Sequence, residues 1–490
     1  MTTPVVVGID LGTTRVKVGL ITPDGAAAGF GRAPYGIDVD PASGRAEQDP
    51  EAWWEGLGAA VHEAISAAKA SGFAAINPIG VCIAGHGPTL TAVDADGRAV
   101  RPAMTWLDSR SSAERAELEA ATGLKGWALG VLPAACWLER HDPDAAARTR
   151  WYLNAWEALG LRLTGRAATS VVPGRQGLPR GDLKRSALAL HRIAPDAGVG
   201  TVLGGLLPDP ARHLGLPAGT PVVVGLVDAF ASFHGARMLE PGDAIDVGGA
   251  AGGFGVYADR PIEVAGGFTT PAPLPGLFSV GGAMAATGAA LDWLGSEILN
   301  GSVAVTELLA EARSVPPGAE GIVFLPYLAG ERSPLWDPSA RGVFAGLTLR
   351  HTRAHLVRAT LEAAALAIRH VAAPMLEAGI EVRAMRACGG PARDDGWNQI
   401  KADVTGFTVE VPRLRETAAV GAAIVAAVGV GVHPDLPTAI RAMTAIDRRF
   451  EPDLDRRATY DELYAAYTAL HPAVAPIMRE LAAARAGVAA

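Results

Sequence analysis

At 490 residues, 49% hydrophobic and 19% charged, the chain has material for two or three packed domains and lacks the composition of a disordered protein. A formal charge of -8 argues against nucleic acid as a partner, because its binders present basic faces. Cys82, Cys136 and Cys388 show neither CxxC spacing nor a disulfide framework, which fits a reducing cytoplasm and argues against a thiolate metal site.

Residues 1–4 carry no basic or apolar leader, so no secretory signal is expected. Val5, Val6, Val7 and Ile9 predict a first strand ending at Asp10, and Gly12 lets the backbone turn before a second strand over residues 16–20. Thr22, Pro23, Asp24 and Gly25 read as a turn. Asp49 as N-cap, Pro50 at the first helical position and Gly72 past the end frame a helix with Trp53, Trp54, Leu57, Val61 and Ile65 on its apolar side. Strand and helix signals alternate elsewhere, the mark of an α/β chain.

The chain also resembles itself. Residues 9–20 (IDLGTTRVKVGL) can be laid over residues 245–256 (IDVGGAAGGFGV), close to half a chain away, and both read as strand, glycine loop, strand. One such loop is weak evidence, but two at this spacing predict duplicated domains with a boundary near Pro241 and Gly242, hence domains over 1–241 and 242–482. The longest apolar run, residues 418–432, is shorter than the roughly 20 residues needed to cross a bilayer, so a buried helix and no membrane are expected.

A phosphoryl donor needs N–H and hydroxyl donors around its triphosphate and a cation bridging the oxygens. Asp10, Gly12, Thr13 and Thr14 supply those types in order, and Gly248 and Gly249 offer backbone N–H groups in the second loop. No GxxxxGK[ST] segment occurs, which removes a P-loop enzyme as the simple alternative.

These loops, with AEQDPEAWW at 46–54, WLDSR at 106–110, GERSP at 330–334, and GVFAGL at 342–347 followed after seven residues by HLVRATLE at 355–362, resemble the FGGY family of carbohydrate kinases over nearly the whole chain. The resemblance implies two duplicated RNase H-like (actin-like ATPase) domains, with mixed central sheets flanked by helices and an interdomain cleft. It implies a cytoplasmic kinase using ATP and Mg²⁺, with Asp10 toward the metal, to phosphorylate a small sugar or polyol. A ketopentose such as xylulose is the first candidate. Tetritols, pentitols, ribulose and glycerol, or a non-catalytic sugar sensor, are the alternatives, and a homodimer is left open.

By the same resemblance Asp228, after the strand-like residues 222–227, is the general base; the plain alternative is that it caps the next helix. Gly389, Gly390 and Asn398 resemble the adenosine segment, although a glycine loop opening an amphipathic helix would look the same. Three departures stand out. Ala250 and Ala251 replace hydroxyl residues, and Ala134 replaces a lysine three before Trp137. His86, Gly87 and Pro88, with Ala229 after the base, replace side chains that contact sugar in xylulose and glycerol kinases. His86 either reads a sugar hydroxyl or is a structural hydrogen-bonder, and Asp108 either contacts substrate or pairs internally with Arg110.

Overall fold

Side chains alternate across a strand, and in the first strand that alternation decides what covers each face. The computed structural model describes residues 2–172 and 190–488. In it the strand Thr3–Leu11 turns Val5, Val7, Ile9 and Leu11 into one core with Trp53, Leu57 and Val61 of the helix Pro50–Ala70. Gly8 faces the other way, where a Cβ would stand 1.9 Å from the Ala419 carbonyl oxygen of the helix Thr417–Gly429. Gly31 plays the same part under the first helix, its absent Cβ 2.0 Å from the Ala60 carbonyl oxygen. Small residues thus let one helix lie close on each face.

The sheet they cover has six strands in the order Val202–Gly205, Pro221–Val227, Ile76–Gly85, Thr3–Leu11, Arg15–Ile21, Ala27–Pro34. Its middle three are parallel and its outer pairings antiparallel. Helix Pro50–Ala70 begins as its sequence predicts, with the Asp49 carboxylate accepting the Glu51 N–H at 3.0 Å and Pro50 opening the first turn. A smaller five-stranded sheet carries Arg45–Gln48 and Ala103–Met104 side by side.

A second sheet has seven strands in the order Phe268–Pro271, Phe278–Met284, Gly252–Ala258, Asp243–Gly248, Ala384–Gly389, Val409–Pro412, Ile446–Phe450. The repeat seen in the sequence is a repeat of topology. Thr3–Leu11 pairs antiparallel with the strand after its glycine loop and parallel with Ile76–Gly85; Asp243–Gly248 does the same with Gly252–Ala258 and Ala384–Gly389. Arg358 and Glu362 of the helix Arg353–Glu377 form a buried hydrogen-bonded cluster with Tyr460 of the helix Arg457–Val488, so the HLVRATLE motif works inside the fold.

Among the described residues the first unit runs to Arg237 and takes in residues 273–275 and 416–445; the second comprises Met238–Ala272, Gly276–Arg415 and the chain from Ile446 onward. The expected boundary at 241/242 is close to the first crossing. The expected second domain over 242–482 differs from this division in residues 416–445, which pack with the first unit. The cause is the alanine- and valine-rich helix Thr417–Gly429, buried on nearly all sides, which seats on Gly8 and against the helix Asp228–Gly235 through Gly421, where a Cβ would lie 1.8 Å from the Ala231 carbonyl oxygen. No helix among the described residues is long and apolar enough to cross a membrane.

Candidate active site

Strand register builds the first half of the site. Asp10 and Leu226 both lie opposite Ala84, and Leu11 and Val227 both lie opposite Gly85. The residues that leave the three parallel strands together are therefore Gly12, His86 and Asp228, with Asp10 just inside the edge. The carboxyl ends of parallel strands are where open α/β sheets place ligands.

Across the first hairpin Asp10 is the direct partner of Lys17. Lys17 Nζ stands 3.3 Å from Asp10 Oδ2 and 3.0 Å from Glu416 Oε2. Burial pushes the Asp10 carboxyl above its ordinary range while the Lys17 ammonium pulls it back. Asp228 keeps part of its surface open, yet the dense surroundings, and next the Asp10 charge, push its carboxyl up to about 7. Asp228 accepts the Ala229 N–H at 2.7 Å and makes no capping bond deeper into its helix, so the plain helix-cap alternative does not describe it. Gly12 donates its N–H to the Arg15 carbonyl oxygen at 3.1 Å; Thr13 is half-buried and Thr14 exposed.

His86 is buried, its Nδ1 2.9 Å from the Thr89 hydroxyl and its ring edge-on to Trp53. Burial pushes its imidazole down to about 4, so it is neutral at pH 7, and Nε2 meets no partner among the described residues. Gly87 leaves no room for a side chain, because a Cβ would stand 2.8 Å from the Trp156 ring. Geometry bears on the two readings of Asp108. Oδ2 accepts the Ala46 N–H at 3.0 Å and Arg110 Nη2 at 2.6 Å, and Oδ1 accepts Arg110 Nε at 3.0 Å, which places Asp108 in the internal ion pair. Ala134 packs half-buried beside Leu132 and Cys136, and nothing in the structure explains the missing lysine.

In the second unit Gly248 and Gly389 lie opposite each other at the carboxyl ends of two parallel strands. Gly389 has φ of 75°, and a Cβ there would stand 1.7 Å from the Gly248 carbonyl oxygen. Gly389→Ala is therefore expected to destabilise this unit by at least about 2 kcal/mol, read as a lowered Tm; an unchanged Tm would contradict this packing. Gly390 differs, with nothing within 4 Å of a Cβ. The carbonyl oxygens of Gly249 and Ala250 accept the N–H groups of Gly288 and Ala289 at 3.1 and 2.9 Å, so the N–H groups of Ala250 and Ala251 point the opposite way.

Asn398, expected to meet the base, has an Oδ1 with no partner among the described residues. It is fully buried, and its Nδ2 donates to the Ala392 carbonyl oxygen at 3.0 Å, tying the helix Asp395–Thr405 to the turn before it. Asp246, the counterpart of Asp10 in the repeat, is buried in an ion pair with Lys401. Sequence reasoning missed Lys17 and Glu416 as site residues. Lys17 is the strand residue facing Asp10 across a short hairpin, a signal that was available; Glu416 comes from the far end of the chain and gave none.

Two buried-to-half-buried carboxylates at the carboxyl edge of a parallel sheet, beside one glycine loop and in a fold that carries a second, describe a phosphotransferase of the actin-like ATPase fold. Residues 5–173 match the N-terminal domain and residues 247–430 the C-terminal domain of the FGGY family of carbohydrate kinases. The chain is 29% identical over 497 residues to xylulose kinase of Escherichia coli, covering 96% of this chain and 99% of that protein. It is 26% identical to gluconokinase of Bacillus subtilis, with 88% of each covered. The crystal structure of xylulose kinase from Rhodospirillum rubrum superposes with a TM-score of 0.79 at 30% identity, covering 97% of this chain and all of that one. The chain belongs to the FGGY family and is an ATP-dependent sugar kinase.

Proposed function

We propose that this kinase phosphorylates a small ketose, with xylulose the first candidate, and that Asp228 is its general base. The observation that carries the assignment is Asp228 at the carboxyl edge of the parallel strands, its carboxyl held near 7 beside Asp10. A base with a pKa close to the operating pH is ionised often enough to act and basic enough to accept a proton. Asp228 takes the proton of the attacking hydroxyl as that oxygen bonds to the γ-phosphorus and the bond from phosphorus to the ADP oxygen breaks.

Asp10 suits Mg²⁺, which keeps several waters and asks for one or two carboxylates with the remaining ligands from phosphates. Its charge is only partly compensated by Lys17, whose other oxygen partner is Glu416. The ion would supply charge neutralisation to the triphosphate. In the first unit Gly12 would make the turn that lets Thr13 and Thr14 meet phosphate oxygens; in the second, Gly248 and Gly249 would offer backbone N–H groups of the same kind, and Gly389 and Gly390 would admit the nucleoside. Lys17 adds a cation to the same place.

Relatives that act on xylulose and on gluconate by name support a small sugar or sugar-acid substrate. His86 remains the substrate-reading candidate on this side, by its unpartnered Nε2, and the closed position at Gly87 marks where this chain departs from xylulose kinases. ADP release with Mg²⁺ across ketopentoses, ketohexoses, tetritols, pentitols, gluconate and glycerol tests the reading. Xylulose is expected to give the highest kcat/KM; a tetritol or gluconate ahead of every ketose would overturn the substrate assignment while leaving the base untouched.

A further inference from the structure

The carbonyl oxygens of the first glycine loop are held by the protein itself. The Tyr35 hydroxyl donates to the Gly12 carbonyl oxygen. Gln48 Nε2 donates to that of Thr13 at 2.6 Å, and the Tyr35 N–H donates to that of Thr14 at 3.0 Å. The Gln48 amide is fixed in turn: Nε2 also donates to the Gly36 carbonyl oxygen at 3.1 Å, and Oε1 accepts Trp53 Nε1–H at 3.3 Å. In a trans peptide the C=O and N–H point opposite ways, so carbonyls tied back toward these donors turn the N–H groups of Thr13 and Thr14 outward.

The Thr13 hydroxyl is oriented as well. Trp106 Nε1 donates to Thr13 Oγ1 at 3.0 Å. An indole N–H can only donate, so the hydroxyl accepts there and its own proton is directed to some other acceptor.

We propose that Tyr35, Gln48 and Trp106 are positioning residues that set the first loop as an array of donors for a polyphosphate, with Trp106 acting through the Thr13 hydroxyl. The inference rests on residues 10–14 being the phosphate loop. A glycine-containing loop has much freedom to lose on binding, and donors already aimed at the ligand lose less of it. Gln48 and Trp106 come from the AEQDPEAWW and WLDSR stretches, so two motifs of no evident chemistry acquire a shared task.

The test is a double-mutant cycle on KM for ATP and KM for the sugar, with Tm recorded for each variant. Thr13→Val and Trp106→Phe are each expected to raise KM for ATP by roughly 3- to 10-fold, the worth of one hydrogen bond, and leave KM for the sugar unchanged. The double variant is expected to be no worse than Thr13→Val alone. Additive losses, or a Trp106→Phe variant changed only toward the sugar, overturn the positioning role and leave the phosphate-loop reading standing. An unchanged KM for ATP in Thr13→Val overturns the loop reading itself, and the proposal with it. Tyr35→Phe, which deletes a single oxygen, carries the test if the tryptophan variant does not fold: a raised KM for ATP supports the proposal and an unchanged one overturns it.

Discussion

Asp228→Asn is expected to cut turnover by roughly 10²- to 10⁴-fold while ATP still binds, because the amide keeps the size of the side chain and loses the basic oxygen. The wild type should show an acid limb in kcat/KM, falling about tenfold per pH unit below about 7, since only the ionised carboxylate accepts a proton. The same substitution should raise stability. The folded protein holds the Asp228 proton more tightly than the unfolded chain, whose carboxyl has the ordinary value of 3.8. Ionisation therefore costs stability progressively as pH rises from there through about 7. An asparagine never ionises, so its Tm should exceed that of the wild type at pH 8, and the difference should shrink toward zero near pH 4. An Asp228→Asn variant of normal turnover would falsify the assignment of the base; a Tm gain independent of pH would contradict the raised carboxyl.

Asp10→Asn is expected to lower kcat/KM for ATP by on the order of 10²- to 10³-fold, the scale for removing one group that meets charge on the transferring phosphoryl. It should also raise the Mg²⁺ concentration needed for half-maximal rate. Lys17 keeps Glu416 as its partner in this variant, so no cation is stranded and the fold should hold. Asp10 is the second cause of the raised Asp228 carboxyl, and its neutralisation should move the acid limb of the residual activity to lower pH. Burial, the larger cause, should keep that limb well above 3.8. An unaltered Mg²⁺ dependence would remove Asp10 from the metal site.

What could be read beforehand was what local sequence controls. The strand, loop and strand at 9–20 and 245–256, and the capped helix Pro50–Ala70, depend on neighbours a few residues apart, and all stand where expected. The pairing of Lys17 with Glu416 depends on a helix from the far end of the chain returning to the first sheet, which no local pattern encodes. A polar residue opening a helix after two glycines resembles a ligand contact, and the sequence alone does not show that Asn398 is fully buried. Trp397, Ile400 and Val404 mark an inward stripe at three- and four-residue steps, and Asn398, one residue past Trp397, falls beside that stripe and not on it, so the periodicity alone does not place it. A carboxylate two residues before an arginine fits either role of Asp108, and the Ala46 N–H that it accepts beside the Arg110 bonds comes from a strand about 60 residues earlier that no local pattern brings there.

The helix Thr417–Gly429 has a consequence for how the protein comes into being. It covers one face of the first strand, seated on Gly8, and Glu416 at its head completes the ion pairs of Lys17. A ribosome that has released residues 1–241 has therefore not yet supplied the first unit with its own second layer. Domains ordinarily fold in order of synthesis; here the earliest-made strands must wait, one apolar face uncovered, until Ala445 has emerged. The first unit is thus complete only when the chain has reached Ala445, and the aspartate at its edge acquires its full electrostatic setting only once Glu416 has been made.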